Sequence, residues 1–132
     1  MQTAVEEITG IESWTEQDFG FYWDGDQTLL PNGECLGRCT NGAHYVVGIA
    51  GRGQVFGFYD HENPGTETGE FAGGHDFAVI DNRWIVDLWS KHFVGISDRC
   101  VFDLESNADA SEIRRLFGDR SKWKLMSEVN AE

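Results

Sequence analysis

The sequence predicts an α+β fold in which a small antiparallel sheet packs against a cysteine-bearing helix and against helices at both ends of the chain. Helical periodicity marks the two ends, and strand-like segments cluster between them. The chain has 132 residues, of which 40% are hydrophobic and 13% aromatic, which is enough to build one core. We therefore expect residues 1–132 to form a single domain.

The first third of the chain predicts one helix and one irregular segment. Within residues 3–14, apolar side chains recur every three residues, which favours an amphipathic helix despite Gly10. Residues 18–33 combine aromatic residues with Gly, Asp, Pro and Asn, so we expect them to be irregular or briefly extended.

Residues 35–50 carry competing signals. Their apolar side chains follow the i, i+3, i+4, i+7 spacing of a helix. Three glycines in the same stretch each cost about 1 kcal/mol relative to alanine in a helix. We favour a helix that begins at Cys35, directly after the turn-forming Pro31-Asn32-Gly33.

Strands are expected in the middle of the chain. Residues 53–61 alternate in polarity and are rich in β-forming residues, whereas residues 62–74 read as a polar, glycine-rich connection. The strongest local signal is a β-hairpin, because strand-like residues 75–80 and 83–89 flank Asp81-Asn82.

The last third predicts a strand, a helix and a final short strand. Residues 100–104 form the first strand, and residues 123–126 the second. Between them, a helix through residues 111–117 is expected to be capped by Asp109 or Ser111 and to end at Gly118.

The register of the hairpin decides which side chains meet. A two-residue loop pairs Asp76 with Asp87, which sets two carboxylates opposite each other. A three-residue loop, Asp81-Asn82-Arg83, pairs Phe77 with Asp87 instead and places His75 diagonally across from Asp87 on one face. We prefer the second register because it removes the repulsion and creates a contact between His75 and Asp87.

The balance of charges limits the classes of partner. Ten Lys and Arg against 23 Asp and Glu give a net charge of −13. Proteins that bind nucleic acid or anionic lipid neutralise phosphates with positive charge, so neither is an expected partner. Solubility explains this charge most simply, and an acidic surface that binds a basic partner is the alternative.

Targeting segments are not expected. No apolar run approaches the ~18 residues of a membrane-spanning helix. The first residues, MQTAVEEITG, lack the basic and apolar parts of a signal peptide. The expected location is the cytoplasm, where an odd count of three cysteines favours reduced thiols.

Three residues have the types and positions of a thiol hydrolase. Such enzymes need a thiolate, an imidazole that takes its proton, and a group that holds the imidazole. A helix N-terminus favours the thiolate, and Cys35 stands where the predicted helix begins. His75 opens the first hairpin strand, and Asp87 lies near the end of the second.

A family resemblance supports this choice. The segment Gly33-Glu34-Cys35, the strand GQVFGFY and the stretch GGHDFAVIDNRWIVDLW resemble the core of the papain-like and transglutaminase-like cysteine superfamily over residues 31–90. The resemblance implies Cys35 as nucleophile, His75 as general base and Asp87 as orienting acid. The C-terminal stretch VFDL…EIRRLFGDRSKW resembles small papain-like proteins of phages and bacteria. Asp76 stands where the family often has an aromatic residue.

Each of these residues also has a structural interpretation. Cysteines are often buried in the core, and we interpret Cys100 as such a core residue. Cys39 is interpreted as a core residue or as a redox partner of Cys35. His75 can be a hydrogen-bonded structural histidine, and Asp87 can pair with Arg83 or Arg99.

A zinc site is a further alternative. Its ligands would be Cys35, Cys39, His44 and either His61 or His75. The spacing is not that of common zinc motifs, and Gly51–Gly53 lies before a strand and does not form a dinucleotide-binding fingerprint. We therefore expect neither a metal nor a cofactor.

The expected function is a thiol-dependent acyl-transfer reaction on a protein or peptide amide, with a basic substrate suggested by the acidic surface. Cleavage, deamidation and transamidation share the same acyl-enzyme chemistry, and all three stay open. The alternative is a non-catalytic inhibitor or interaction protein whose acidic surface binds a basic partner, for example as a nucleic-acid mimic.

Overall fold

Residues 4–129 form five α-helices, seven strands and three short helical turns. The computed structural model describes residues 4–129. The helices are α1 (Ala4–Gly10), α2 (Glu16–Phe19), α3 (Cys39–Ala50), α4 (Glu67–Ala72) and α5 (Ala110–Phe117). The strands are β1 (Tyr22–Asp24), β2 (Gln27–Leu29), β3 (Gly53–Tyr59), β4 (Gly74–Ile80), β5 (Trp84–Val86), β6 (Val101–Asp103) and β7 (Lys124–Val129). Turns of 3-10 helix lie at Ile11–Ser13 and Arg120–Lys122, and a π-helical turn lies at Trp89–Phe93.

Five strands form one antiparallel sheet in the order β6-β5-β4-β3-β7, and β1 pairs with β2 in a separate hairpin. This architecture confirms the α+β class and the antiparallel sheet that the sequence predicts. Residue 3 of the first predicted helix lies outside the described residues. Residues 4–13 form α1 and the following 3-10 turn, and Trp14 is extended.

The sheet separates two hydrophobic clusters because successive side chains on a strand point to opposite faces. Ala78 and Ile80 of β4 pack into the cluster beneath α3, together with Val46 and Val47. The intervening Phe77 and Val79 pack on the other face, in a second cluster that α5 completes. Alternation along β4 therefore decides which helix each of its residues meets.

The β4–β5 hairpin has the predicted three-residue loop. Ile80 pairs with Trp84, and Ala78 pairs with Val86. Asp81 and Asn82 adopt positive φ values of 56° and 53°, a conformation that Asp and Asn tolerate better than most residues. The register that places His75 and Asp87 on one face is therefore confirmed.

The helix in residues 35–50 is confirmed, but its predicted start at Cys35 is wrong. The chain is still extended there, because Cys35 forms a bridge with Leu29 and the Leu36 N–H donates to the Thr28 carbonyl at 2.9 Å. Helix α3 begins four residues later, at Cys39. The cysteine at the helix N-terminus is thus Cys39.

Two other segments contain helices that the sequence analysis did not predict. The connection 62–74 contains α4, whose first turn is capped by the Thr66 hydroxyl accepting from the Gly69 N–H at 2.9 Å. The segment 18–33 contains the end of α2, which begins with a capping box between Thr15 and Asp18, as well as the β1–β2 hairpin. Local capping decides both helices, which are too short for a periodic signal.

The C-terminal predictions are confirmed in outline. Strand β6 and helix α5 lie where they were expected, and α5 is bounded by Asp109 and Gly118. The Asp109 side chain does not cap α5. It accepts hydrogen bonds from Arg99 at 2.7 Å and from the Asp103 N–H at 2.8 Å, which ties the helix to the edge of the sheet.

Glu12 connects the N-terminal segment to the sheet. Its Oε1 accepts the N–H groups of Cys100 and Val101, each at 3.0 Å, and its Oε2 accepts from Lys91 Nζ at 2.9 Å. One carboxylate therefore joins the 3-10 turn after α1, the π-helical turn and the start of β6.

Candidate active site

His75 and Asp87 form a buried pair at the open end of the β4–β5 hairpin. His75 Nε2 lies 2.7 Å from Asp87 Oδ2, and the exposed fractions of the two side chains are 0% and 2%. The alternative partners of Asp87 are engaged elsewhere, because Arg83 pairs with Asp103 and Arg99 pairs with Asp109. The register of the hairpin thus brings together the imidazole and the carboxylate that the sequence analysis selected.

Asp87 is held by three further hydrogen bonds. Ser90 donates its hydroxyl to Asp87 Oδ2 at 2.5 Å and its backbone N–H to Oδ1 at 3.2 Å. The Asp87 N–H donates to the Cys100 carbonyl at 2.7 Å. A buried carboxylate is costly unless its oxygens are satisfied, and here the start of the π-helical turn provides the donors.

Aromatic rings enclose the imidazole. The Trp89 ring centroid lies 4.8 Å from that of His75, and Phe77 and Phe117 lie at 5.9 and 6.0 Å. This burial alone lowers the pKa of the imidazole, but the Asp87 carboxylate and the neighbouring Cys39 outweigh it and raise the His75 pKa to about 9. The ring is therefore favoured in its protonated form at neutral pH.

Cys39 is the cysteine that reaches the imidazole. It begins α3, is partly exposed, and lies beside the His75 ring, where it contributes to the raised pKa. Its Sγ accepts the Asp76 N–H at 3.4 Å. The second ring nitrogen, His75 Nδ1, is buried and has no hydrogen-bond partner among the described residues. The thiol is therefore a neighbour of the ring whose Nε2 is already held by Asp87.

The loop before α3 is fixed to the same aromatic cluster. Trp89 Nε1 donates to the Gly37 carbonyl at 3.1 Å, and Asn41 Nδ2 donates to the Cys35 carbonyl at 2.9 Å. A Cβ at Gly37 would lie 3.1 Å from Cζ of Phe93. Glycine at this position therefore lets the loop pass closer to the Phe93 ring than a residue with a side chain would. Trp89 thus contacts His75 with its ring and positions the loop before Cys39 with its N–H.

The other two cysteines lie elsewhere. The contacts of Cys35 are with Leu29, Asn41 and the position of Gly37, and none involves His75. The structure therefore places Cys39, and not the predicted Cys35, beside the imidazole. Cys100 is fully buried, and burial together with Glu12 raises its pKa to about 12.

An open cleft of about 320 Å³ gives access to the thiol. Cys39, His75 and Asp76 line it together with Tyr59 and Met126. The first turn of α3 adds unused donors, because Arg38 provides no side-chain cap and the first N–H groups of a helix have no partner within the helix. Within residues 4–129, neither the Cys39 N–H nor the Thr40 N–H has a hydrogen-bond acceptor.

The remaining histidines do not join this group. His44 lies 3.3 Å from the Ser127 hydroxyl, His61 stacks on Tyr59, and His92 packs against Phe19. In the described part of the chain, no three His, Cys, Asp or Glu side chains are grouped so as to hold a metal ion. The zinc arrangement considered from the sequence is therefore not formed by these residues.

Three residues of the site were missed by the sequence analysis: Cys39 as the thiol, Ser90 as a donor to Asp87, and Trp89 as a wall of the imidazole. Cys39 begins the apolar spacing that continues through Ala43, Val46 and Val47, and this spacing was the available signal. No local sequence signal marks Ser90 or Trp89, because they reach the site through the π-helical turn.

The chain was also compared with known proteins and tested for membrane spans. Across residues 4–129, no helix combines the length and the apolar character needed to cross a bilayer. No protein family, no curated protein and no solved structure matched the chain.

Proposed function

We propose that this protein is a papain-like, thiol-dependent acyl-transfer enzyme that acts on a protein or peptide amide. Cys39 is the nucleophile, His75 carries the proton and Asp87 orients the imidazole. The observation that supports this assignment is the partly exposed Cys39 thiol beside an imidazole whose Nε2 lies 2.7 Å from a buried carboxylate oxygen. Buried pairs of this kind prepare a ring to exchange protons with a neighbouring thiol.

Positive charge and N–H donors converge on the Cys39 sulfur. A protonated His75 stabilises a thiolate beside it, as do the N–H groups at the start of α3. The Asp76 N–H, which points at the sulfur, adds a third donor. The thiolate, not the thiol, is the nucleophilic form.

These positions support the following reaction. The Cys39 sulfur adds to the carbonyl carbon of the amide, and the unused Cys39 N–H stabilises the resulting oxyanion. The C–N bond breaks as the imidazolium of His75 gives its proton to the departing nitrogen. Water or an amine then gives a proton to His75 and attacks the thioester carbonyl carbon, and the C–S bond breaks so that the Cys39 sulfur leaves as the thiolate. The incoming nucleophile and the departing group decide between hydrolysis, deamidation and transamidation.

Alkylation with iodoacetamide tests this proposal. We expect Cys39 to react at pH 7 at least about tenfold faster than Cys35, because only Cys39 lies beside the imidazolium. Buried Cys100 should not react. Rates are measured by intact mass and assigned by peptide mapping, and His75→Gln should slow Cys39 to the rate of an ordinary thiol. Equal rates at Cys39 and Cys35, or no effect of His75→Gln, would contradict the proposal.

A non-catalytic role in binding a basic partner is the second candidate. Its support is the β1–β2 hairpin, where Trp23 is 55% exposed and the neighbouring Asp24 and Asp26 are also exposed. Glu16 and Trp23 also line an adjacent open groove. A partner captured equally well by wild type and by Cys39→Ala would favour this role, and a partner lost with Asp24→Asn would place it at the hairpin.

A further inference from the structure

The cleft beside the thiol contains one carboxylate that the acyl-transfer chemistry does not use. Asp76 follows His75 in β4 and lines the cleft together with Cys39. Its Oδ2 accepts the Thr40 hydroxyl at 2.6 Å, and Thr40 follows Cys39 in α3. The carboxylate therefore lies next to both the candidate nucleophile and the candidate base.

Asp76 has no cationic partner in the described chain. Its side chain interacts with Thr40, its backbone N–H interacts with Cys39, and no Lys or Arg of residues 4–129 forms an ion pair with it. Other aspartates of the sheet and its turns are neutralised, as in the pairs Asp81–Arg52 at 2.6 Å and Asp103–Arg83 at 2.9 Å. A half-buried carboxylate without a cation attracts one.

The neighbouring strand leaves room for this carboxylate. Gly57 of β3 pairs with Asp76, and a Cβ at position 57 would collide with Asp76 Oδ1. Glycine inside a strand often marks such a close approach. Asp76 Oδ1 therefore lies close to the Gly57 backbone at the cleft. It accepts no hydrogen bond from the described residues.

The walls of the cleft suit an aliphatic chain. The side chains of Tyr59 and Met126 are 53% and 44% exposed, and both line the cleft. The Lys124 ammonium already lies 5.6 Å from the centre of the Tyr59 ring, so this ring accepts a cation. A chain of methylene groups can pack on such walls while its charged end reaches a carboxylate.

We propose that the cleft selects substrates with an ammonium group on an aliphatic chain, as in lysine, at the residue whose carbonyl Cys39 attacks. This inference rests on the proposed acyl-transfer function. Thr40 occupies Oδ2 and leaves Oδ1 of Asp76 free, which suits the point charge of an ammonium better than the two-pronged guanidinium of arginine. The unpartnered His75 Nδ1, on a side chain with 0% exposure at the same cleft, marks where the reacting part of the substrate lies.

A matched pair of alkylating probes tests the inference. Tosyl-lysine chloromethyl ketone and its norleucine analogue differ by the terminal ammonium group, and each transfers its carbon chain to sulfur as chloride leaves. We expect wild type to react at Cys39 at least about tenfold faster with the lysine probe, since a charge-assisted hydrogen bond is worth about that factor. In Asp76→Asn, which keeps the size and the acceptor for Thr40, the preference should fall below about threefold.

Asp98→Asn is the control, because it removes the same charge from an exposed residue that does not line the cleft. The lysine preference should survive in this variant. Equal rates for the two probes in wild type, or a preference retained in Asp76→Asn, would overturn the inference while leaving the acyl-transfer function intact. Cys39 alkylation that does not depend on His75 would instead contradict the acyl-transfer function.

A binding measurement tests the ammonium site independently of the acyl-transfer reaction. Lysinamide and norleucinamide are titrated into Cys39→Ala, and amide signals are followed by NMR. We expect lysinamide to shift the signals of Asp76 and Gly57 and norleucinamide to leave them in place. Shifts of the same size with both compounds, or with neither, would overturn the ammonium site even if Cys39 proves reactive.

Discussion

The imidazole side and the sulfur side of the cleft are built differently. His75 and Asp87 are buried, ring-packed and hydrogen-bonded on the α5 face of the sheet. Cys39 is partly exposed, and its helix packs on the opposite face. The two sides meet at the start of β4, beyond Ala78 and Val86, where β4 is no longer paired with β5. A buried imidazole and a partly exposed thiol thus come from different layers of the molecule.

This difference predicts which substitutions change folding stability and which change only the reactivity of the thiol. Changes on the imidazole side alter the core, so they should lower both folding stability and the reactivity of the thiol. Changes on the sulfur side touch a half-exposed helix start and should affect reactivity alone.

The largest effect is expected for Asp87→Ala. It leaves a buried imidazole without its partner, which should lower the free energy of unfolding by about 3–5 kcal/mol and reduce Cys39 alkylation to that of an ordinary thiol. Urea denaturation and iodoacetamide kinetics measure the two effects. Glu62→Ala is the control, because it removes only an exposed ion pair with Lys124 and should leave stability nearly unchanged. A fully stable Asp87→Ala protein would refute the difference between the two sides.

The next effect is a pH dependence of stability. The His75 pKa is about 9 in the folded protein and 6.5 in the reference state, so the folded state binds this proton more tightly. The stabilisation is complete below pH 6.5 and is lost as the pH rises through about 9. Urea midpoints should therefore fall between pH 6.5 and 9 by more in wild type than in His75→Gln. Parallel pH profiles for the two proteins would contradict the raised pKa.

A smaller effect is expected for Ser90→Ala. The variant removes the hydroxyl that donates to Asp87 Oδ2 but keeps the backbone donor to Oδ1. We expect a loss of about 1–2 kcal/mol in the free energy of unfolding and a several-fold slower alkylation of Cys39. Ser121→Ala, which removes an exposed hydroxyl bound to Asp119, should change neither quantity. If both serine variants behave alike, Ser90 does not position Asp87.

The smallest effect is expected for Cys35→Ala. Cys35 is tied to Leu29 and Asn41 through its backbone, so the free energy of unfolding should change by less than about 1 kcal/mol. Alkylation of Cys39 should stay within about twofold of wild type in the same iodoacetamide assay. A large loss of Cys39 reactivity would return Cys35 to the mechanism.

The β4–β5 hairpin could be predicted from sequence because the residues that determine its turn and its register are close together in the chain. Asp81 and Asn82 are turn-forming residues, and the choice between two registers followed from the cost of opposing Asp76 and Asp87. The observed pairing of Ile80 with Trp84 confirms the preferred register. Contact between His75 and Asp87 was therefore within reach of the sequence alone.

The start of α3 was not predictable in the same way. Arg38 precedes the helix without forming a side-chain cap, so the usual Ser, Thr, Asp or Asn signal is absent. The extended conformation of Cys35 and Leu36 depends on β2, through Leu29 and Thr28. Because this pairing is tertiary, the sequence analysis placed the start of the helix, and with it the candidate thiol, one helical turn too early.

Glu12 has a consequence for any engineering of the chain. Its carboxylate holds the N–H groups of Cys100 and Val101, and the Cys100 carbonyl in turn accepts the N–H of Asp87. The segment after α1 therefore supports the position of Asp87, although none of its residues lines the cleft. Removing this segment would keep Cys39, His75 and Asp87 in the chain but would take away the hydrogen bonds that support Asp87 through Cys100.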